Sequence, residues 1–281
     1  MTPILLAGLA IALAGPVPAL LARVPQLRRT PLAAMLLWQA IAAAGVLAAI
    51  GAGLALFTQH GAINAWLGLA ALALTVLVAG RMLLSAHRVG TSLRAVRRRH
   101  REQLDLVGER SGHLRVIEHD LPVAYCVPGF GQNRIVVSAG AQGVLTDEEF
   151  GAVLAHERSH LRARHDLVLE AFSALREAFP AWVSSAAAMR EVQLLVEVIA
   201  DRSAVRHSGS LPLGRALVAL AEGRAPQAAL GVGGSHLLAR VELLAEDRPR
   251  RVQAATLLTA AVAVLLLPTA FIVVPWLAAV V

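Results

Sequence analysis

The stretch TDEEFGAVLAHERSHLRARHDL, residues 146–167, organises the reading of the whole chain. Thr146 followed by Glu149 is a capping-box pattern, and Asp147, Glu148 and Glu149 crowd a first turn where the helix dipole favours anions. Phe150, Val153, Leu154, Leu161 and Leu167 then recur at helical spacing. On such a helix His156 and His160, four residues apart, share one face and can reach one metal ion. Glu157 lies beside them, placed to take a proton from water that the metal makes acidic. From the His and Glu content, chance supplies only about 0.02 His-Glu-x-x-His matches in a chain of this length.

A catalytic zinc needs a third protein ligand and an open position. Downstream carboxylates that could serve are Asp166, Glu170, Glu177, Glu191, Glu197 and Asp201. Asp166 stands where a third histidine follows a turning glycine in one protease pattern, but Ala163 occupies the glycine position, which disfavours it. Glu197 is the better candidate. It interrupts the apolar run Leu194-Leu195-Val196-Glu197-Val198-Ile199-Ala200, where an unpaired carboxylate is costly to bury and ligation removes the cost. Asp201, one turn on, can accept the outer N–H of a ligating histidine and fix its tautomer.

The rest of the chain is unusually apolar. Of 281 residues 57% are hydrophobic and 16% charged, and the mean hydropathy is +0.62, which fits a membrane protein carrying a modest polar domain. A single cysteine, Cys126, excludes an intrachain disulfide and a cysteine-rich zinc site, so a metal falls to His and carboxylate. Residues 2–22, 30–80 and 252–281 contain no charged side chain. These give spans near 3–22, 32–56, 63–84 and 254–276, with Pro16 and Pro18 kinking the first and Thr58-Gln59-His60-Gly61 turning between the second and third. A cleaved signal peptide is disfavoured because the arginines follow the first apolar stretch instead of preceding it.

All 26 basic residues are arginine, a bias expected of a GC-rich bacterial genome. Every acidic residue lies between Glu102 and Asp247, where nineteen acids against thirteen arginines leave a net charge of −6. The other thirteen arginines flank this stretch in three clusters: Arg23 to Arg29, Arg81 to Arg101 and Arg248 to Arg251. The basic pI is therefore a property of membrane-flanking segments, and direct nucleic-acid binding is not expected. Four spans place all three clusters inside, giving an outside N-terminus, a cytoplasmic polar domain and an outside C-terminus in a bacterial plasma membrane. The expected organisation is three spans in 1–84, a basic juxtamembrane linker in 85–105, a zinc metallopeptidase domain in 106–250 and a fourth span in 251–281.

His-Glu-x-x-His followed some forty residues later by Glu197-Val-Ile-Ala-Asp201 resembles the membrane gluzincins, which include the HtpX and CAAX-prenyl protease group and the BlaR/MecR antibiotic-sensor metallopeptidases. Three spans, a zinc domain and a fourth span are similar to the BlaR/MecR order. The stretches Pro122-Val-Ala-Tyr-Cys-Val-Pro128 and Asn133-Arg-Ile-Val-Val-Ser138 resemble the hairpin before the zinc helix there. The resemblance implies a mostly α membrane protein, with a cytoplasmic α+β gluzincin domain inserted between transmembrane helices three and four. It implies Zn2+ held by His156, His160 and Glu197, Glu157 as general base and acid, and Asp201 as the orienting carboxylate. The antibiotic sensors continue past the last span into an extracellular penicillin-binding domain; this chain stops at Val281 and is expected to lack it.

Ser235-His236-Leu-Leu-Ala-Arg240 is similar to a segment of the HtpX group that ends in an arginine near the active site. Arg240, and more weakly His236, are thus candidates for a substrate or oxyanion contact; a surface arginine on an amphipathic helix is the alternative. His165 and His207 are expected to meet water or lipid headgroups. The runs 123–127 and 134–137 read as a β-hairpin that can hold a substrate strand. No P-loop and no Gly-x-Ser-x-Gly elbow occurs. The expected function is zinc-dependent proteolysis of a cytoplasmic regulator, a BlaI-like repressor, in a signalling pathway. Rival readings are a membrane-protein quality-control protease of HtpX type and a non-proteolytic transducer with a structural zinc.

Overall fold

The computed structural model describes residues 2–60, 64–180, 186–222, 232–246 and 250–280. It is mostly helical and divides into two compact units, Met1–Val89 with Ala171–Val192 and Arg250–Val281, and Gly90–Glu170 with Gln193–Pro249.

The first unit is built on apolar helices. Helix α1 (Thr2–Ala14) breaks at Gly15 before α2 (Pro16–Leu21), where Pro16 and Pro18 cannot donate to the preceding turn. Helix α3 (Pro31–His60) packs against α1 and against the last helix, α11 (Arg251–Val280). Ala40, Ala44 and Ala261 in that contact let the backbones approach while Leu13, Leu37 and Ile41 fill the space between. Helix α4 (Ala65–Val107) comes so close to α3 that a Cβ on Gly53 would collide with Thr75 Oγ1. Among the described residues four helical segments, Thr2–Leu21, Pro31–Gln59, Ala65–Val107 and Arg251–Phe271, are long and apolar enough to cross a membrane.

The expected turn after the second apolar run needs adjustment. Thr58, Gln59 and His60 are helical and not a turn, because the Thr58 hydroxyl bonds the Ala55 carbonyl and so stays within the helix. The turn's last residue, Gly61, lies outside the described residues. Residues 85–105, the expected basic juxtamembrane linker, are helical and continue α4 without a break.

The second unit carries the site. Strands β1 (Glu109–Ser111), β2 (Leu114–Ile117), β3 (Ala124–Val127) and β4 (Arg134–Ser138) form one sheet in the order β1-β2-β4-β3. The expected hairpin is the antiparallel β3–β4 pair, with Cys126 opposite Ile135. Its turn uses Gly131 at φ +69, a conformation glycine adopts without a Cβ penalty, and Asn133 Oδ1 accepts the Gly129 N–H at 2.9 Å. Strand β4 also pairs in parallel with β2. Ser138 ends β4 and caps α5 (Ala139–Val144) by accepting the Ala141 N–H.

Helix α6 (Asp147–Ala163) begins with the full capping box between Thr146 and Glu149. Its Val153 packs into the cluster of Ile135, Val137, Ala141, Leu145 and Ala216. Its Ala152 meets Ala204 of α8 (Ala186–Ser208) and Leu213 of α9 (Ser210–Glu222). The zinc-motif helix is thereby clamped between the sheet and two helices, which is what a rigid ligand set requires.

Candidate metal centre

His156 and His160 leave α6 on one face, with their Nε2 atoms 3.0 Å apart. Glu197 of α8 closes the group: one carboxylate oxygen lies 3.5 Å from His156 Nε2 and the other 3.5 Å from His160 Nε2. The three ligand atoms fall within 4.8 Å of one another. Two imidazole nitrogens and one carboxylate oxygen are a donor set that suits zinc with a position left for water.

Asp201, one turn below Glu197 and 1% exposed, places Oδ1 2.9 Å from His156 Nδ1. The His156 N–H points off the line to that oxygen, leaving a buried donor without a well-aligned partner. A carboxylate beside the outer nitrogen of an imidazole is the arrangement that fixes the tautomer of a metal-binding histidine. Arg240, on α10 (Val232–Leu244), grips Asp201 with two bonds of 2.7 Å and reaches Glu197 at 3.0 Å. It is a half-buried bridge between the two carboxylates, not a surface arginine. His236 lies one turn before it on α10, outside the triad.

His165 departs most from expectation. It does not meet water or lipid: it is 5% exposed, and its Nδ1 lies 3.1 Å from His160 Nδ1 with the rings edge to face. Arg164 makes this possible by adopting φ +51 and ψ 44, which ends α6 and starts α7 (His165–Ala178) in a new direction. His165 therefore backs His160 as Asp201 backs His156. His207 is exposed and bonds the Ser203 carbonyl.

Other carboxylates named as possible ligands are engaged elsewhere. Asp166 is held by Arg164 and Arg97, Glu170 by Arg94 and Arg97, and Glu191 by Arg28. Glu177 is exposed and outside the triad.

Burial and charge set the proton affinities. Burial pulls His156 down, but Asp201 and Glu197 outweigh it and carry the group to about 9. Burial, with His156 adding to it, lowers His160 to about 4. Burial opposes ionisation of Glu197, yet the His156 hydrogen bond and Arg240 hold it at about 2. Glu157, 9% exposed, is raised chiefly by burial, against the pull of His156 and of a hydrogen bond from Cys126. The Cys126 thiol is pushed up in turn, by burial first and then by the Glu157 charge.

A helix-borne His-Glu-x-x-His pair, a carboxylate from a second helix and a buried glutamate beside them define a metallopeptidase. The chain belongs to peptidase family M48, whose model matches residues 89–234, and members of that family are typically zinc-dependent. The match contains His156, Glu157, His160, Glu197 and Asp201 and stops short of His236 and Arg240. No curated protein and no solved structure matches the chain.

Proposed function

We propose that the protein is a membrane-embedded zinc endopeptidase that cleaves a cytoplasmic regulator, a BlaI-like repressor, with His156, His160 and Glu197 holding the metal. The observation that carries the proteolytic reading is Glu157: a buried carboxyl with a raised proton affinity, next in sequence to one ligand and on the same helix as another. Zinc, when bound there, supplies Lewis acidity that makes water acidic enough to deprotonate near neutral pH and that polarises a carbonyl. Glu157 accepts the proton from water and returns it to the departing amine; its raised affinity suits both halves of that transfer. Asp201 and His165 stand beside the outer nitrogens of the two histidines, and Arg240 keeps Asp201 ionised and in place. Strand β3 is the last in the sheet order, so its free edge can pair with an extended substrate while Cys126 on it faces Glu157.

The signalling reading is supported by three apolar segments before the zinc domain and one after it. The distribution of arginines supports a cytoplasmic site. The proteolytic reading is tested by Glu157→Gln, expected to retain about one zinc per chain and to lose cleavage of casein or of itself. An active Glu157→Gln protein overturns the mechanism. Comparing new protein N-termini in cells carrying wild type and Glu157→Gln then identifies the substrate: a repressor fragment supports signalling, membrane-protein fragments the HtpX-type role. For topology, cysteines introduced at Gly61 and Gly209 are treated with a membrane-impermeant alkylator in intact cells. Labelling is expected at 61 alone, and labelling at 209 reverses the orientation.

A further inference from the structure

We propose that the second unit contains a pocket for the phosphate headgroup of an anionic phospholipid, built from arginines that the proteolytic site does not use. The pocket is a cavity of about 350 Å3 between the C-terminal part of α4, the β3–β4 turn and the start of α7. Arg94, Arg97, Arg98 and Arg101 line it from α4, at spacings that put them along one side of the helix. Arg164 faces it from the end of α6, while Asp166 and Glu170 line it from α7. Five guanidinium groups against two carboxylates leave a lining surplus of three positive charges.

The existing pairings do not absorb that surplus. Asp166 is shared by Arg164 at 3.0 Å and Arg97 at 3.2 Å, and Glu170 by Arg97 at 3.4 Å and Arg94 at 3.5 Å. Arg101 donates to a neutral group, the Pro128 carbonyl, at 2.7 Å. Arg98 has Glu102 at 3.9 Å, with both side chains more than two-thirds exposed, a pairing that water screens. Like charges facing one cavity repel one another, and an anion relieves this. Guanidinium forks match phosphate oxygens two at a time, and such charge-assisted bonds are about twice as strong as neutral ones.

Two further observations select a lipid over a soluble anion or an acidic peptide. Phe130 lines the same pocket, is 82% exposed, and has the Arg164 guanidinium 5.4 Å from its ring centre. An exposed aromatic side chain beside a phosphate site is suited to the membrane interface, where its ring meets acyl chains and its neighbours meet headgroups. The four α4 arginines also follow, on one unbroken helix, an apolar stretch long enough to cross the bilayer. Basic residues at such a position meet anionic headgroups. An acidic peptide would use the charges and leave the outer face of the Phe130 ring in water.

The full-length protein, purified in neutral detergent and stripped of lipid, is titrated with dihexanoyl-phosphatidylglycerol by calorimetry. Dihexanoyl-phosphatidylcholine, inorganic phosphate and oligoglutamate serve as comparators. Saturable phosphatidylglycerol binding is expected, at least roughly tenfold tighter than that of phosphatidylcholine or phosphate. Arg98→Gln with Arg101→Gln should weaken it by roughly tenfold or more. Arg98→Gln alone, at an exposed side chain that the fold does not need, should weaken it less. Phe130→Ala should weaken the lipid and leave phosphate binding unchanged. Equal binding of the two lipids, or wild-type affinity in both arginine variants, overturns the proposal. Phosphate or oligoglutamate binding as tightly as phosphatidylglycerol also overturns it, in favour of a soluble ligand. Glu157→Gln should bind the lipid as wild type does, which separates this pocket from the proteolytic reading.

Discussion

Behind His156 stands a carboxylate, and behind His160 stands another imidazole. Asp201 is buried on α8, anchored by Arg240, and sits 2.9 Å from the histidine it backs. His165 is neutral by burial, comes from the first turn of α7, and sits 3.1 Å from His160. In the proposed zinc site, the task of aiming Nε2 at the metal would fall on one side to a charge and on the other to a tautomer. With His160 ligating through Nε2, its Nδ1–H must donate to a His165 Nδ1 that carries no proton. The consequence is asymmetry: without metal the first histidine favours its proton up to about 9, the second gives it up above about 4.

The largest effect that separates the two sides concerns the third ligand. Glu197→Ala should strip zinc, whereas Asp166→Ala should leave occupancy near that of wild type, because Asp166 is spent on Arg164 and Arg97. Metal analysis after dialysis reads both, and loss of zinc in Asp166→Ala alone would move the third ligand to α7.

Next comes the contrast of backing groups. Asp201→Asn should weaken zinc binding by about 10- to 100-fold. His165→Ala should cost only about 3- to 10-fold, the worth of a neutral hydrogen bond, and His165→Asn, which keeps an acceptor, should recover part of it. Competition with a chromophoric chelator measures all three, and equal losses at the two positions would erase the asymmetry.

The smallest effect is a proton count. At pH 7 the metal-free protein holds a proton on His156 and none on His160 or Glu197, so zinc binding should release about one proton. Zinc affinity should then rise with pH up to about 9 and level off above it. In Asp201→Asn the larger of the two contributions that raise His156 is gone while that of Glu197 remains, and the release at pH 7 should drop. Calorimetry in buffers of different ionisation enthalpy gives the count, and no release from the wild type would contradict the charge assignment.

Much of this centre was legible in the sequence for physical reasons. Thr146 and Glu149 announce a helix start, two histidines at i and i+4 share a face, and Glu197 stands out because it interrupts an apolar run. The β3–β4 hairpin was visible through its glycines. Strand β2 was not, because Arg115 occupies a 5% exposed position, which Asp105 makes tolerable from ten residues away. His165 was hidden by a backbone event. Five residues along a continuous helix put it about 140° around from His160, and only the left-handed conformation of Arg164 brings it back. Arginine gives little warning of such a turn, since glycine and asparagine are the usual signals. Arg240 was readable as a candidate, but its grip on Asp201 depends on a contact across 39 residues.

Cys126 gives the centre a chemical temperament of its own. Peroxide attacks thiolates, and oxidation to sulfenic and sulfinic acids proceeds fastest at exposed thiols that ionise near neutral pH. A half-buried thiol held protonated against Glu157 is a poor target for that attack. Conditions that silence enzymes working through an ionised cysteine should therefore leave the Cys126 sulfur reduced and the Glu157 carboxyl beside it unaltered.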